Sequence, residues 1–426
     1  MKNNYSQLLI DVQKKSNITV NNIKDLKILK EEIELVIQTT IGYNTLRRLF
    51  GFLEKREPNV TTLNKIAKYL GYASFANYKH QKANYDDWYF QQYLLLINKF
   101  TTININQINQ INLGLLNENN VVYLGYFINY HIEKNNIDLL KTIFKKVNFN
   151  QVNGTQLHKF GIIISLILMS LSEKKALKIY EELIPYDNFR NNIPLLHIDY
   201  TNLHNTYFEV IQLIQKNNAN NSDLLFTELM YYYKTYYVED TVFPFKIKKP
   251  KDFDSFHDTL KGRFYAVKIH SNNGNLDFVK KEILLECKTA KISFFLIEII
   301  PALIFNDEFE FLEKLLTQYY EEVFEEEVWS SETTNAIYLI GLANVNLYQN
   351  NIKIAKKNLE LIDLEKVEIG YFDYVNLYYY LALLKISFVK NDAITNQMAQ
   401  VKLNDLIRKT KFKAFERVSF NFKISK

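Results

Sequence analysis

Short asparagine-rich clusters punctuate this chain at residues 117–120, 135–136, 217–221, 272–275 and 350–351. Between them run long stretches of Leu, Ile, Lys, Glu, Tyr and Phe with the spacing of helices, so the clusters read as the turns of helical hairpins. Only 11 glycines and 6 prolines serve 426 residues, too few for a turn-rich β architecture. An apolar content of 47% is enough to bury a large core. The expected fold class is therefore all-α. The abundance of Asn, Lys, Ile and Tyr is also what codon bias in an A/T-rich genome produces, and no function is read into it.

Residues 40–72 stand apart from this pattern. A short helix starting near residues 42–45 carries Leu46, Leu49 and Phe50 inward and leaves Asn44, Arg47 and Arg48 on its outer side. After a break at Pro58, a second helix is expected, with Thr61 or Thr62 as N-cap, Leu63, Ile66, Ala67 and Leu70 as its buried stripe, and Gly71 as its stop. Arginine and asparagine side chains are the bidentate groups that read base edges in a major groove. Lys55, Arg56, Lys65 and Lys68 follow where they can meet phosphates. Residues 1–80 hold thirteen basic and seven acidic side chains; from totals of 52 and 47, the rest of the chain holds thirty-nine and forty. All the excess positive charge thus lies in the first 80 residues, as expected of a nucleic-acid-binding head on a neutral body.

The run Pro58-Asn-Val-Thr-Thr-Leu63-Asn-Lys-Ile66-Ala67-Lys-Tyr-Leu70-Gly71 resembles the closing signature of the Cro/repressor (Xre-type) helix-turn-helix family, a proline followed by Leu-x-x-Ile-Ala-x-x-Leu-Gly. Residues 43–49 sit where that family has its recognition helix. The resemblance implies groove contacts for Tyr43, Asn44, Thr45, Arg47 and Arg48, with Lys55, Arg56 and Lys65 beside the phosphates. Phe50 stands where the family usually has a glutamate, and Leu35-Val36 where it usually has a Leu-Ala pair. The likeness covers residues 1–80, read as a helix-turn-helix DNA-binding domain, and 81–426 is read as a helical-repeat domain.

Within 81–426 the clearest repeat unit spans residues 342–362, with small residues at Ala343 and Ala355 and a large one at Leu359. It resembles the tetratricopeptide pattern, in which small side chains let two antiparallel helices close tightly. Its second helix is echoed at residues 136–147, 173–184, 275–285 and 308–319, and a last hairpin is expected at 371–390 against 392–410. A Cro-type head before such a body resembles the layout of peptide-responsive transcription regulators of Gram-positive bacteria. That layout implies double-stranded DNA as partner, a homodimer, and a peptide or protein ligand in a repeat groove. The alternative is an interaction scaffold whose basic head does not bind DNA specifically.

Enzyme signatures are missing: no phosphate loop, no Gly-x-Ser-x-Gly elbow, no His-Glu-x-x-His and no Cys-x-x-Cys. No catalytic residue, metal site or cofactor is expected. The nearest approach to a metal set, His197 with Asp199 and His204, reads better as ordinary hydrogen-bonded histidines, although seven residues would put both imidazoles on one helical face. The lone Cys287, in an apolar run, reads as a buried structural thiol of a reducing, cytoplasmic compartment. The N-terminus lacks the pattern of a secretory signal. The apolar runs 161–171 and 293–305 fall short of the roughly 20 residues a membrane-spanning helix needs, and the second contains Glu298 and Pro301. Tyrosine clusters at residues 231–237 and 374–380 leave two readings, a repeat core in which tyrosine replaces Leu and Phe, or the lining of a peptide groove.

Overall fold

Residues 5–54, 58–82, 85–217, 220–242, 244–271, 276–325 and 331–424 are described by a computed structural model. Every regular element among them is helical, as the shortage of turn residues predicts. Contacts divide the chain into two compact units, Met1–Tyr93 and Leu94–Lys426. The division falls within the helix Tyr85–Ile97.

The first unit opens with α1 (Ser6–Ser16), α2 (Ile23–Ile37), α3 (Tyr43–Leu49), α4 (Val60–Leu70) and α5 (Phe75–Lys82). A capping box starts α2: Asn22 Oδ1 accepts the amides of Lys24 and Asp25, and the Asp25 carboxylate accepts the Asn22 amide. In α4 the N-cap is Asn59, whose Oδ1 accepts the Thr61 amide at 2.9 Å, and not Thr61 or Thr62. The helix begins at Val60, so both threonines already lie inside its first turn. Gly71 ends α4 at φ +98°, with its amide bonded to Lys68 and that of Tyr72 to Ala67. Leu63, Ile66 and Ala67 are buried as expected, but Leu70 is only half-buried and Tyr69 is enclosed instead. Packing against both α1 and α2 widens the buried face of α4. Tyr69 suits that place because its hydroxyl donates to Glu32 of α2 while its carbonyl accepts from Lys15 of α1.

The second unit is a succession of paired helices. Val121–Glu133 is followed by Ile137–Lys146, Gly154–Ser170 by Glu173–Leu183, Ile292–Phe305 by Phe309–Gln318, Ser331–Tyr348 by Ile352–Glu360, and Phe372–Val389 by Ala393–Thr410. Helices thus occupy the expected echoes of the repeat, and Ala343, Ala355 and Leu359 are buried between them. First helices of neighbouring pairs pack on each other, 292–305 on 331–348 and 331–348 on 372–389. Four of the tight turns share one conformation. Asn135, Asp307, Asn350 and Asn391 are left-handed, with φ between 54° and 61°. At each, two amides return to the preceding helix; the Asn350 amide bonds Leu347 at 3.1 Å and the Asn351 amide bonds Asn346 at 2.8 Å. Asparagine and aspartate tolerate this region because their short polar side chains lose least there.

Two helices approach unusually closely. A Cβ on Gly262, in Asp258–His270, would lie 2.4 Å from the Phe295 carbonyl oxygen of Ile292–Phe305, so only glycine fits. The next residue, Arg263, is fully buried, and its Nη2 lies 2.7 Å from Oε1 of Glu298 on the facing helix. Tyr200 closes the pair by accepting from Arg263 Nε at 2.9 Å and donating to Glu298, and Tyr233 donates to the other Glu298 oxygen at 3.0 Å. Tyr371 and Tyr374 pack their rings on Tyr200. Beside them Tyr237 bonds His270 Nε2 at 3.0 Å and the Tyr378 hydroxyl at 2.8 Å. The clusters therefore resolve into core for Tyr233, Tyr236, Tyr237, Tyr374 and Tyr378, all buried. Burial is favourable here because each phenol has an apolar body and a polar tip that finds a partner.

Replacing Asn350 by valine is expected to destabilise the second unit by about 1–2 kcal/mol, the cost of a branched side chain in the left-handed region, whereas Asn350→Gly should not. Glu298→Ala strands a buried guanidinium and should cost about 3–5 kcal/mol, most of it recovered by the apolar double substitution R263M/E298L. Urea unfolding followed by tryptophan fluorescence and far-UV circular dichroism measures both.

Candidate nucleic-acid interface

The helix α3 is seven residues long and is defined at both ends by glycine. Gly42 is its N-cap, and after it Gly51, at φ +80°, lets the Gly51 and Phe52 amides bond Arg48 and Arg47. Leu46 and Leu49 are buried in the head core with Leu26, Leu29 and Ile33 of α2. Helical geometry then puts Asn44, Arg47 and Arg48 together on the opposite side, with Tyr43 and Thr45 at its flanks. Asn44 is exposed, and Tyr43, Thr45, Arg47 and Arg48 are half-buried. Arg47 lies over the Tyr43 ring, its guanidinium carbon 6.0 Å from the centroid, while the Tyr43 hydroxyl donates to the Ile23 carbonyl at 3.3 Å. Neither arginine is in an ion pair among the described residues, and Arg47 Nε is enclosed without a hydrogen-bond partner among them.

The turn before α3 is held from two sides. Glu34 of α2 accepts the Ile41 amide at 2.6 Å and pairs with Lys30 at 2.6 Å, and Lys65 of α4 donates to the Thr40 carbonyl at 2.7 Å. The hydrogen bond from Lys30, the Ile41 amide and the Lys65 charge together hold the Glu34 carboxyl below its usual range. These contacts aim α3, and sequence reasoning missed Glu34 because an acidic residue on a helix carries no mark of the loop amide it will meet. Lys65 was read as a phosphate contact; one of its donors is already spent on Thr40. Lys68 is exposed. Lys55 and Arg56 lie outside the described residues.

Two of the second unit's cavities are large enough to hold a small molecule. The larger, about 620 Å³, is walled by Asn220, Asp223, Phe226, Phe256, His257 and Arg263, among others. Its Asp223 is neutralised by Arg190, Nε to Oδ2 at 2.8 Å. The smaller, about 250 Å³, is bordered by His197, Asp199, Tyr180 and Tyr207. His197 and His204 do not share a helical face, because only a single 3₁₀ turn, Tyr200–Asn202, separates them. Among the described residues no group of three or more His, Cys, Asp or Glu side chains is placed to hold a metal ion. Cys287 is buried, and burial pushes its thiol up to about 12. No helix among the described residues is long and apolar enough to cross a membrane.

Compared with known proteins, the chain matches no family model, no curated protein and no solved structure.

Burial also governs the second unit's histidines. It lowers His131 to about 4, and burial together with His158 lowers His197 to about 4 from an ordinary value of 6.5. Both imidazoles are thus held neutral in the folded state but take up protons near pH 6.5 when unfolded. The stability they confer is complete above pH 6.5 and declines as the pH falls toward 4, by up to about 1.4 kcal/mol per pH unit for each histidine. Unfolding midpoints should fall more between pH 7 and pH 5 for the parent protein than for H131Q, which removes one of the groups that take up a proton on unfolding.

Proposed function

We propose that this chain is a sequence-specific, double-stranded-DNA-binding transcriptional regulator of the cytoplasm, and not an enzyme. In this reading the head is a helix-turn-helix domain of the Cro/repressor kind, and α3 enters the major groove. Arg47 and Asn44 face base edges, Tyr43 and Thr45 flank them, and Arg48, Lys65, Lys55 and Arg56 meet phosphates. The observation that carries the reading is the outward face of α3. Two arginines without an acidic partner among the described residues sit on a short helix whose approach is braced by Glu34 and Lys65. They belong to the 80 residues that hold all the chain's excess positive charge.

The body, in the same reading, is a stacked-hairpin solenoid resembling tetratricopeptide repeats. It dimerises the protein, so that two heads read two half-sites, and it senses a peptide or protein signal. The succession of hairpins joined by tight asparagine turns supports that architecture. The cavity of about 620 Å³ supports ligand binding, being of the size and mixed lining that ligand sites have.

One observation favours the scaffold reading. On α2, Ile28, Leu35 and Val36 are 56%, 80% and 53% exposed, an apolar edge suited to protein contact. Salt separates the two readings. A DNA-binding head loses affinity steeply with salt and prefers one fragment of a genomic library, whereas a protein-docking head does neither.

The double substitution Arg47→Ala/Arg48→Ala is expected to weaken binding to a cognate duplex by about 30-fold or more at about 150 mM salt, and to lower the salt slope by about one to two. Fluorescence anisotropy on a fragment selected from the genome measures both quantities. Parent-like affinity in the double mutant removes α3 from the groove.

A further inference from the structure

Asp199 stands in the wall of the 250 Å³ cavity of the second unit, 8% exposed and with no cation paired to it among the described residues. Thr201 Oγ1 donates to it at 3.2 Å. Lys409, whose charge acts on Asp199, is two-thirds exposed and lies 2.6 Å from Asp373, which takes up its charge. Burial, opposed only in part by hydrogen bonds from Asn202 and Thr201, pushes the Asp199 carboxyl above its usual range. A buried carboxylate of this kind is costly unless something cationic is brought to it.

The rest of the lining points the same way. No lysine or arginine among the described residues borders the cavity, and the second acidic residue there, Glu173, accepts from Thr206 Oγ1 at 3.2 Å. Two aromatic rings, Tyr180 and Tyr207, are buried in the wall. The Tyr207 hydroxyl is committed to the Pro194 carbonyl at 2.8 Å, while that of Tyr180 makes no hydrogen bond among the described residues. An anion would meet two carboxylates here, and an apolar molecule would leave Asp199 uncompensated. An organic ammonium gains an ion pair in a low-dielectric site and the attraction of ring faces for a cation.

We propose that this cavity binds a small organic ammonium compound, the size of a short diamine, with its ammonium on Asp199 beside the Tyr180 and Tyr207 rings. The volume is below that of sites for drug-sized ligands, which limits the occupant to a few bonded carbons around the charge. The site is separate from the 620 Å³ cavity and does not depend on whether the head binds DNA.

The test uses the full chain with 1,4-diaminobutane, its neutral isostere 1,4-butanediol, and succinate. Because binding to the folded state alone raises stability with the logarithm of ligand concentration, diaminobutane at about a hundredfold excess over Kd should raise the melting temperature of the second unit by about 5 °C. Butanediol and succinate should leave it unchanged, and titration calorimetry should give one diamine site per chain. Asp199→Asn keeps the shape, removes the charge and should abolish the response. Thr206→Lys brings a tethered ammonium to the cavity mouth and should also abolish it, so the answer does not hang on one variant folding. Equal protection by butanediol, no shift with diaminobutane, or an undiminished response in whichever of the two variants folds would overturn the assignment.

Discussion

The ion pair of Arg263 with Glu298 is the contact on which the second unit depends. Removing both charges from water costs several kcal/mol for each, and attraction at 2.7 Å repays this only when the remaining donors and acceptors are satisfied. Tyr200 and Tyr233 do that work, one from the 3₁₀ turn Tyr200–Asn202 and the other from the end of the helix Asn221–Tyr233. Four separate segments must therefore arrive together, and none can shift without leaving a charge or a phenol unpaired. Gly262 belongs to the same arrangement. It lets the two helices close to a distance at which any side chain would strike the Phe295 carbonyl, and the adjacent arginine then spans the gap. The rings of Tyr371 and Tyr374 extend the network to the helix Phe372–Val389, tying segments far apart in sequence.

Tight turns make such convergence possible. A helix that ends in a left-handed asparagine reverses within a few residues and satisfies two of its final carbonyls as it does so. The same pair of bonds at Asn135, Asp307, Asn350 and Asn391 sets successive helices antiparallel with little freedom in the connection. Hairpins built alike can then bury their apolar faces on one another, which no single hairpin could do alone.

The helices were legible in the sequence where their cause is local. Periodic apolar residues and Gly71 placed α4, and the asparagine clusters at 135–136 and 350–351 placed two of the tight turns. The N-cap is Asn59 and not Thr61 or Thr62 because several cap-forming residues follow one another there, and only hydrogen-bond geometry chooses among them. What depends on a distant partner was not legible. Glu298 stood out only as a charge interrupting an apolar run; a lone acid in such a run must have a buried partner, but nothing near it names Arg263. The tyrosine clusters could be core or groove, and the choice was made by segments such as residues 411–415, where Phe412 stacks on Tyr237. At the candidate interface, the face of Asn44, Arg47 and Arg48 follows from helical spacing, while its bracing by Glu34 and Lys65 joins three helices.

The two proposed sites rest on opposite uses of charge. A folded domain normally neutralises or solvates its ions, since an uncompensated charge in a low-dielectric setting is expensive and one in water is cheap. In the head, Glu34 and one donor of Lys65 hold the turn, while Arg47 and Arg48 are half-buried with no acidic partner among the described residues. A polyanion that reaches both gains from them at once by releasing its counterions. The second unit does the reverse at Asp199. There a carboxyl with no cation paired to it among the described residues is buried, so an ammonium ligand would be coupled to stability as well as to occupancy. A surface cation marks a site by what it leaves free, and a buried carboxylate by what it demands.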